Sequence, residues 1–179
     1  GIDISTYQQN VNYKKLKEQG IEFAIIRLGY GKNISQKDSM FETHFKGLKN
    51  AGIKVGAYLY SYAYVKEGAK LEAENTLKIL KGKQFEYPIY MDVEEDRHQQ
   101  VGKSRMADAI KGFCEYLENK GYYVGIYANS NYFNNFIDTA KLSMYDKWLA
   151  VWTSNKPSFK YGDYGLWQNS SSGYISGMR

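Results

Sequence analysis

The sequence predicts an α/β fold, an irregular TIM-like (β/α) barrel with about five helices and eight strands, and three observations carry that expectation. Apolar runs of strand length alternate with helix-period segments over the first two-thirds of the chain. The segments Lys17-Glu18-Gln19-Gly20-Ile21, Lys49-Asn50-Ala51-Gly52-Ile53 and Glu118-Asn119-Lys120-Gly121-Tyr122 each end a helix and launch a strand, with glycine at the left-handed cap. Those glycines lie 32 and then 69 residues apart, about one and two βα units. After Tyr127, strand signals follow one another with little helix between them, so the last third is expected to be irregular.

In chain order, Gly1-Ile2-Asp3-Ile4-Ser5 reads as a first strand with an acid near its end. Val11, Leu16 and spaced Lys/Glu residues make a short helix over Asn10 to Gln19, closed by Gly20. Ile21 to Tyr30 is an apolar second strand. Arg27, inside it, is expected to pair with a buried acid or to reach a cleft. A polar loop, Gly31 to Ser39, leads into a helix from Met40 to Asn50. Lys54 to Tyr62 forms the third strand and Lys66 to Leu80 the third helix. The fourth strand, Pro88 to Glu94, opens with a proline and closes on a burst of acids. A helix from Ser104 to Lys120 precedes the fifth strand, Tyr122 to Tyr127. A short helix, Asn131 to Ile137, is followed by strands at Lys147 to Trp152 and Tyr164 to Gln168, and Tyr174-Ile175-Ser176 begins an eighth.

A length of 179 residues suffices for one domain with a sizeable core but not for two, so residues 1–179 are read as a single domain. With 43% hydrophobic and 24% charged residues, the composition is globular and not disordered. The 18 tyrosines, 8 phenylalanines and 3 tryptophans point to a wide amphipathic surface such as a sugar-binding cleft. The net charge of +5 comes without a Lys/Arg cluster. That argues against nucleic acid as a partner and fits a general attraction to anionic polymer, bacterial wall included. A lone cysteine, Cys114, excludes an internal disulfide and falls in a helical core pattern with Ile110, Phe113 and Leu117. His44 and His98 are too far apart for a local metal motif, and neither a metal nor another cofactor is expected. No apolar run is long enough for a membrane span. No signal peptide opens the chain, and a start at Gly1 instead of Met fits removal of a leader by processing.

Chemistry in (β/α) barrels gathers at the C-terminal ends of the strands. Those ends supply Asp3 and Ser5, Tyr30, Tyr60 and Tyr62, Asp92 and Glu94, Tyr127 and Asn129, Trp152, and Trp167 with Gln168. Side chains alternate along a strand, so Asp92 and Glu94 point the same way with Cα atoms about 6.6 Å apart, and Val93 packs on the other face. Two carboxyls that close do not ionise independently, and one is expected to hold its proton to higher pH. One protonated acid beside one charged acid suits glycosidic bond cleavage. Taken singly, each aromatic is as readily a core residue, and the acidic strand end a polar surface; as a ring around three acids they mean more. Glu95, Asp96 and Arg97 read as a solvated loop.

The segments Gly1-Ile2-Asp3-Ile4-Ser5, Gly56-Ala57-Tyr58-Leu59-Tyr60-Ser61-Tyr62-Ala63, Met91-Asp92-Val93-Glu94, Gly125-Ile126-Tyr127-Ala128-Asn129 and Leu166-Trp167-Gln168-Asn169-Ser170 run through nearly the whole chain. In that order they resemble the glycoside hydrolase family 25 lysozymes, bacterial and phage N-acetylmuramidases. The resemblance implies an irregular β/α barrel and hydrolysis of the β-1,4 bond between N-acetylmuramic acid and N-acetylglucosamine in peptidoglycan. It implies that Glu94 is the general acid, Asp92 its partner carboxylate, Asp3 the acid of the first strand and Tyr62 a residue beside the pair. One feature departs from the family: a further Asp usually follows the Trp-Gln strand in a Gly-x-x-Asp-like segment, and none follows Gln168 here. Either the domain is cut short after Arg179 or this acid is absent. Asp163 precedes the strand and belongs at its other end.

The 2-acetamido group of such a substrate can itself attack the anomeric carbon, with one carboxyl as acid and a neighbour orienting the acetamide nitrogen. Asp92 and Glu94 suit those roles, with net retention. Direct attack by Asp92, also retaining, and an inverting route with Asp3 as base remain open, because sequence spacing does not fix side-chain distances. Other classes compete. A Mg²⁺-dependent hydrolase using Asp3, Asp92 and Glu94 would lose activity in EDTA. A chitinase-like enzyme shares the acetamido logic, and a non-catalytic wall-binding domain would explain the tyrosines alone. The expected partner is bacterial peptidoglycan outside the cell, reached by secretion or phage release, and any separate wall-binding module lies outside these residues.

Overall fold

The computed structural model describes residues 1–178, and among these, seven parallel strands pair in sequence order, β1 to β7. Five α-helices return the chain between or beside them. The strands are β1 (Ile2–Ile4), β2 (Phe23–Tyr30), β3 (Lys54–Tyr60), β4 (Ile89–Asp92), β5 (Val124–Asn129), β6 (Asp146–Ala150) and β7 (Leu166–Gln168). The helices are α1 (Tyr13–Glu18), α2 (Phe41–Asn50), α3 (Lys66–Leu80), α4 (Lys103–Glu118) and α5 (Ser130–Asn135). All-parallel order with helical crossovers is the (β/α) arrangement, but the sheet curls without closing, since β7 and β1 share no pairing among the described residues.

The expected eighth strand does not form. Tyr174-Ile175-Ser176 has the residue types of a strand but no neighbour to pair with. The segment instead runs past the start of α1, where Asn12 N–H donates to Gly177 O at 2.7 Å and Val11 bridges Met178. The strands are also shorter than the apolar runs suggest: β3 stops at Tyr60, β4 at Asp92 and β6 at Ala150.

Strand alternation sorts the side chains into two cores. Ile4, Ala24, Ile26, Leu28, Val55, Ala57, Leu59, Ile89, Met91, Val93 and Ile126 face outward and pack against the helices. The opposite phase, Ile25, Tyr90, Tyr127, Trp148 and Ala150, with Phe23, Tyr58, Tyr87 and Leu166 beside them, fills the interior of the curl. Trp148 is its hub, with ring centroids 4.5 Å from Tyr127, 5.3 Å from Tyr90 and 5.9 Å from Tyr58. Part of the tyrosine excess is therefore barrel filling. Cys114 is buried in the outer core, as its helical pattern predicts.

Two local devices shape the mouth. Gly29 adopts φ +144°, and a Cβ there would lie 2.2 Å from Gln36 O, so only glycine fits the irregularity that breaks the β2–β3 register between Arg27 and Gly29. Arg27 shares the inward phase of Ile25 and pairs with buried Asp38, Nε to Oδ2 2.7 Å, meeting the expectation of a buried acid. No helix among the described residues is long and apolar enough to cross a membrane.

Candidate active site

At the C-terminal end of the curl, a cavity of about 640 Å³ is lined by Asp3, Asp92 and Glu94 together with Tyr58, Tyr127 and Gln168. The inward phase explains this convergence: Asp92 follows Tyr90 on β4, and Glu94, just past the strand end, continues the phase. Val93 turns to the outer core, and its N–H donates to Tyr127 O at 2.9 Å.

The three carboxyls differ in setting. Asp92 is 3% exposed, yet its Oδ1 has no hydrogen-bond partner among the described residues. Burial, then the neighbouring Glu94 and Asp3 carboxyls, push its pKa well above the usual aspartate value, and the Arg27 charge opposes them. Glu94 opens onto the cleft, but the protein packed around its carboxyl raises its pKa, with Glu95 adding to the effect. Asp3 is raised by burial and drawn back by Gln168, whose Nε2 donates to Oδ2 at 3.1 Å. An acid able to hold its proton beside a buried carboxyl lacking a donor is an arrangement for acid–base work on a neutral, polar substrate.

Gln168 organises the open side. Its Oε1 accepts from Tyr127 Oη at 2.9 Å and from Trp152 Nε1 at 3.1 Å, while its amide reaches Asp3 across the gap between β7 and β1. Trp152, 64% exposed, and Trp167 line the same cavity, and Trp167 Nε1 donates to Val151 O at 2.8 Å.

A model of the family described as glycosyl hydrolases family 25 matches residues 2–178. The chain belongs to glycoside hydrolase family 25. The autolytic lysozyme of Clostridium acetobutylicum is 29% identical over 178 residues, covering 99% of this chain and 52% of that protein. Lysozyme M1 of Streptomyces globisporus is 25% identical, over 99% of this chain and 64% of its own length. The chain thus spans between about half and two-thirds of these relatives. The family 25 lysozyme of Aspergillus fumigatus has the same fold, with a TM-score of 0.84 at 25% identity over 99% of this chain and 90% of that one.

Within this family 25 chain, eight of the strand-end residues share the cavity: Asp3, Ser5, Asp92, Glu94, Tyr127, Trp152, Trp167 and Gln168. Tyr30, Tyr60 and Tyr62 do not line it. They form an edge-to-face cluster on the neighbouring rim, with Tyr62 5.4 Å from Tyr60 and 6.0 Å from Tyr30. Asn129 belongs to neither group, because its Oδ1 caps α5 by accepting from Tyr132 N–H at 3.0 Å. The Asn-Ser step ahead of a helical segment carries that signal in the sequence. Glu95 is not a free loop residue either, since it accepts from Tyr60 Oη at 3.1 Å. Two residues were missed. Tyr58 was legible from its alternation phase with Tyr60. Glu72, on α3, accepts from Ser61 and Tyr62 and carries no local sequence signal. Asp163 is exposed and lies outside the cavity, at the other end of β7, as expected.

Proposed function

We propose that this chain hydrolyses the β-1,4 bond between N-acetylmuramic acid and N-acetylglucosamine of bacterial peptidoglycan, acting outside the cell. The observation that carries the reading is the buried Asp92 carboxyl without a donor, set next to the more open Glu94. Glu94, its pKa raised, gives its proton to the glycosidic oxygen as the bond to the anomeric carbon breaks. The substrate's acetamide oxygen attacks that carbon from the opposite face, forming an oxazolinium ring. Its N–H, now carrying positive charge, supplies the partner that Asp92 lacks. Water then gives a proton to Glu94 and its oxygen to the anomeric carbon, the ring opens, and the configuration is retained. Asp3, tied to Gln168, adds negative potential on the other side of the cavity. The rim tyrosines and Trp152 offer faces for sugar stacking. The names of the lysozymes that this chain resembles support the same substrate class.

Mass spectrometry of digested peptidoglycan tests the reading. Products ending in reducing N-acetylmuramic acid are expected, and Glu94→Gln should lower the rate by at least about 100-fold with folding intact. Cleavage of chitin oligomers with peptidoglycan untouched would point to the chitinase-like alternative. Undiminished activity of Glu94→Gln would remove Glu94 from its role.

A further inference from the structure

Glu72 is 3% exposed in the middle of α3, and none of the described ion pairs involves it. A buried carboxylate without a cation is a costly way to join a helix to a strand end, since an apolar side chain would pack there with no desolvation cost. What the carboxylate gains is two donors from the turn that follows β3. Its Oε2 accepts from Ser61 Oγ at 2.5 Å, and its Oε1 accepts from Tyr62 N–H at 2.8 Å. Ser61 Oγ in turn accepts from Ala63 N–H at 3.1 Å, so one carboxylate and one hydroxyl satisfy both backbone donors of Tyr62 and Ala63. The same turn is fastened to the catalytic strand, because Ser61 N–H donates to Asp92 O at 3.1 Å.

We propose that Glu72 is a positioning residue for the active-site rim. It fixes the Ser61-Tyr62-Ala63 turn, and through the turn it sets the direction in which the Tyr62 ring leaves the backbone. Tyr62 is 46% exposed and its ring meets Tyr30 and Tyr60 edge to face, so its direction follows the backbone that carries it. Tyr60 is held from the opposite side by Glu95, the neighbour of Glu94. The rim aromatics are therefore fastened at two ends, Glu72 behind Tyr62 and Glu95 beyond Tyr60. This inference rests on the reading of Tyr62 as a sugar contact.

The choice of glutamate has a chemical reason. Two donors converge on two oxygens, so a glutamine at 72 would turn an N–H₂ group toward either the Tyr62 N–H or the Ser61 hydroxyl. Facing Tyr62 it loses that bond. Facing Ser61 it reverses the bond, the hydroxyl accepting from the amide while its own proton loses the carboxylate. Either way the turn gives up charge-assisted hydrogen bonding without any change in packing volume.

The experiment compares wild type, Glu72→Gln, Tyr62→Ala and the double variant on soluble peptidoglycan fragments, with amide hydrogen exchange at Tyr62 and Ala63. Glu72→Gln is expected to raise KM about 3- to 10-fold with a smaller change in kcat, about the net worth of one ordinary hydrogen bond. Faster exchange at those two amides should accompany it. The double variant should be no worse than Tyr62→Ala alone, because both changes remove the same contact. Ser61→Ala, which removes the hydroxyl from the other end, should reproduce the KM effect and covers the case in which Glu72→Gln fails to fold. Independent, multiplying effects of the two single variants would overturn the proposal, as would unchanged exchange at Tyr62. An inactive wild type would instead overturn the peptidoglycan reading, and with it the basis for this one.

Discussion

Two buried aspartates at the mouth of the curl have opposite surroundings. Asp38, 5% exposed, is saturated: its Oδ2 accepts from Arg27 Nε at 2.7 Å and from Thr6 N–H at 3.0 Å, and its Oδ1 from Met40 N–H at 2.8 Å. Those bonds tie the interior of β2, the loop after β1 and the entry to α2 into one corner. Asp92, 3% exposed, has an oxygen with no donor and two other carboxyls close by. Arg27 acts on both, bonded to the first and felt as a charge by the second. Two carboxyls equally hidden from water thus do different work. One is met by donors the chain supplies and fixes a corner, while the other is left short of donors, which suits the substrate-facing role proposed for it.

The largest effect expected from breaking this contrast is on Asp92. Asp92→Asn should lower kcat by about 10²- to 10³-fold, the usual loss when a preorganised group at a charge-developing site is removed. Stability should move the other way. The folded-state pKa of Asp92 lies above its unfolded value of 3.8, so well below pH 4 both states carry the proton and the group has no effect. As pH rises through about 3.8 the unfolded chain loses its proton first, and the wild type is progressively destabilised until the raised folded pKa is passed. The Asn variant should therefore melt higher than wild type at pH 7, with the gap narrowing toward pH 4. Thermal melts at both pH values check this, and a variant that melts lower at pH 7 would show that Asp92 has a donor after all.

Asp38→Asn should do the reverse. It leaves the Arg27 guanidinium without its carboxylate in a corner that is 16% exposed on the arginine side, which should cost about 3 kcal/mol of stability, the lower end of the range for breaking a buried pair. Below its melting temperature the variant should keep most of its activity. Chemical denaturation with kinetics at 20 °C separates the two quantities. A loss of kcat as deep as that of Asp92→Asn, with the midpoint unchanged, would make Asp38 part of the chemistry.

The sequence carried much of this, unevenly. Helix α3 falls on the residues its pattern predicts, Lys66–Leu80, because amphipathic period, flanking turn signals and length agree. The alternation that sends Asp92 and Val93 to opposite faces was equally local. The last third was not legible in that way. β7 is three residues long and exists through its parallel register on β6, and Tyr174-Ile175-Ser176 has strand composition but no partner. At the site, strand ends gave Asp3, Asp92 and Glu94 by position alone. Depth along a strand was not available, so Tyr127 at the cavity wall and Tyr30, Tyr60 and Tyr62 on the rim looked alike. Glu72 was hidden for a related reason: its helix touches the β3 turn only in three dimensions.

The smallest of these effects concerns Gln168, which carries donors from the aromatic side of the cleft to Asp3. Gln168→Leu keeps the size of the side chain and removes all three bonds to Asp3, Tyr127 and Trp152. Without the amide donor, only a backbone N–H bond still offsets the burial that raises Asp3, so its carboxyl should hold a proton to higher pH than in the wild type. If charged Asp3 supports the reaction, the acidic limb of the kcat/KM profile should move to higher pH, and the plateau should fall about 3- to 10-fold, about the net worth of one ordinary hydrogen bond. Trp152, released from Oε1, should show broader, red-shifted emission, measurable as the part of the emission that a Trp152→Phe control lacks. An unmoved acidic limb together with altered Trp152 emission would confine Gln168 to holding the rim, and would make Asp3 the bystander among the three acids.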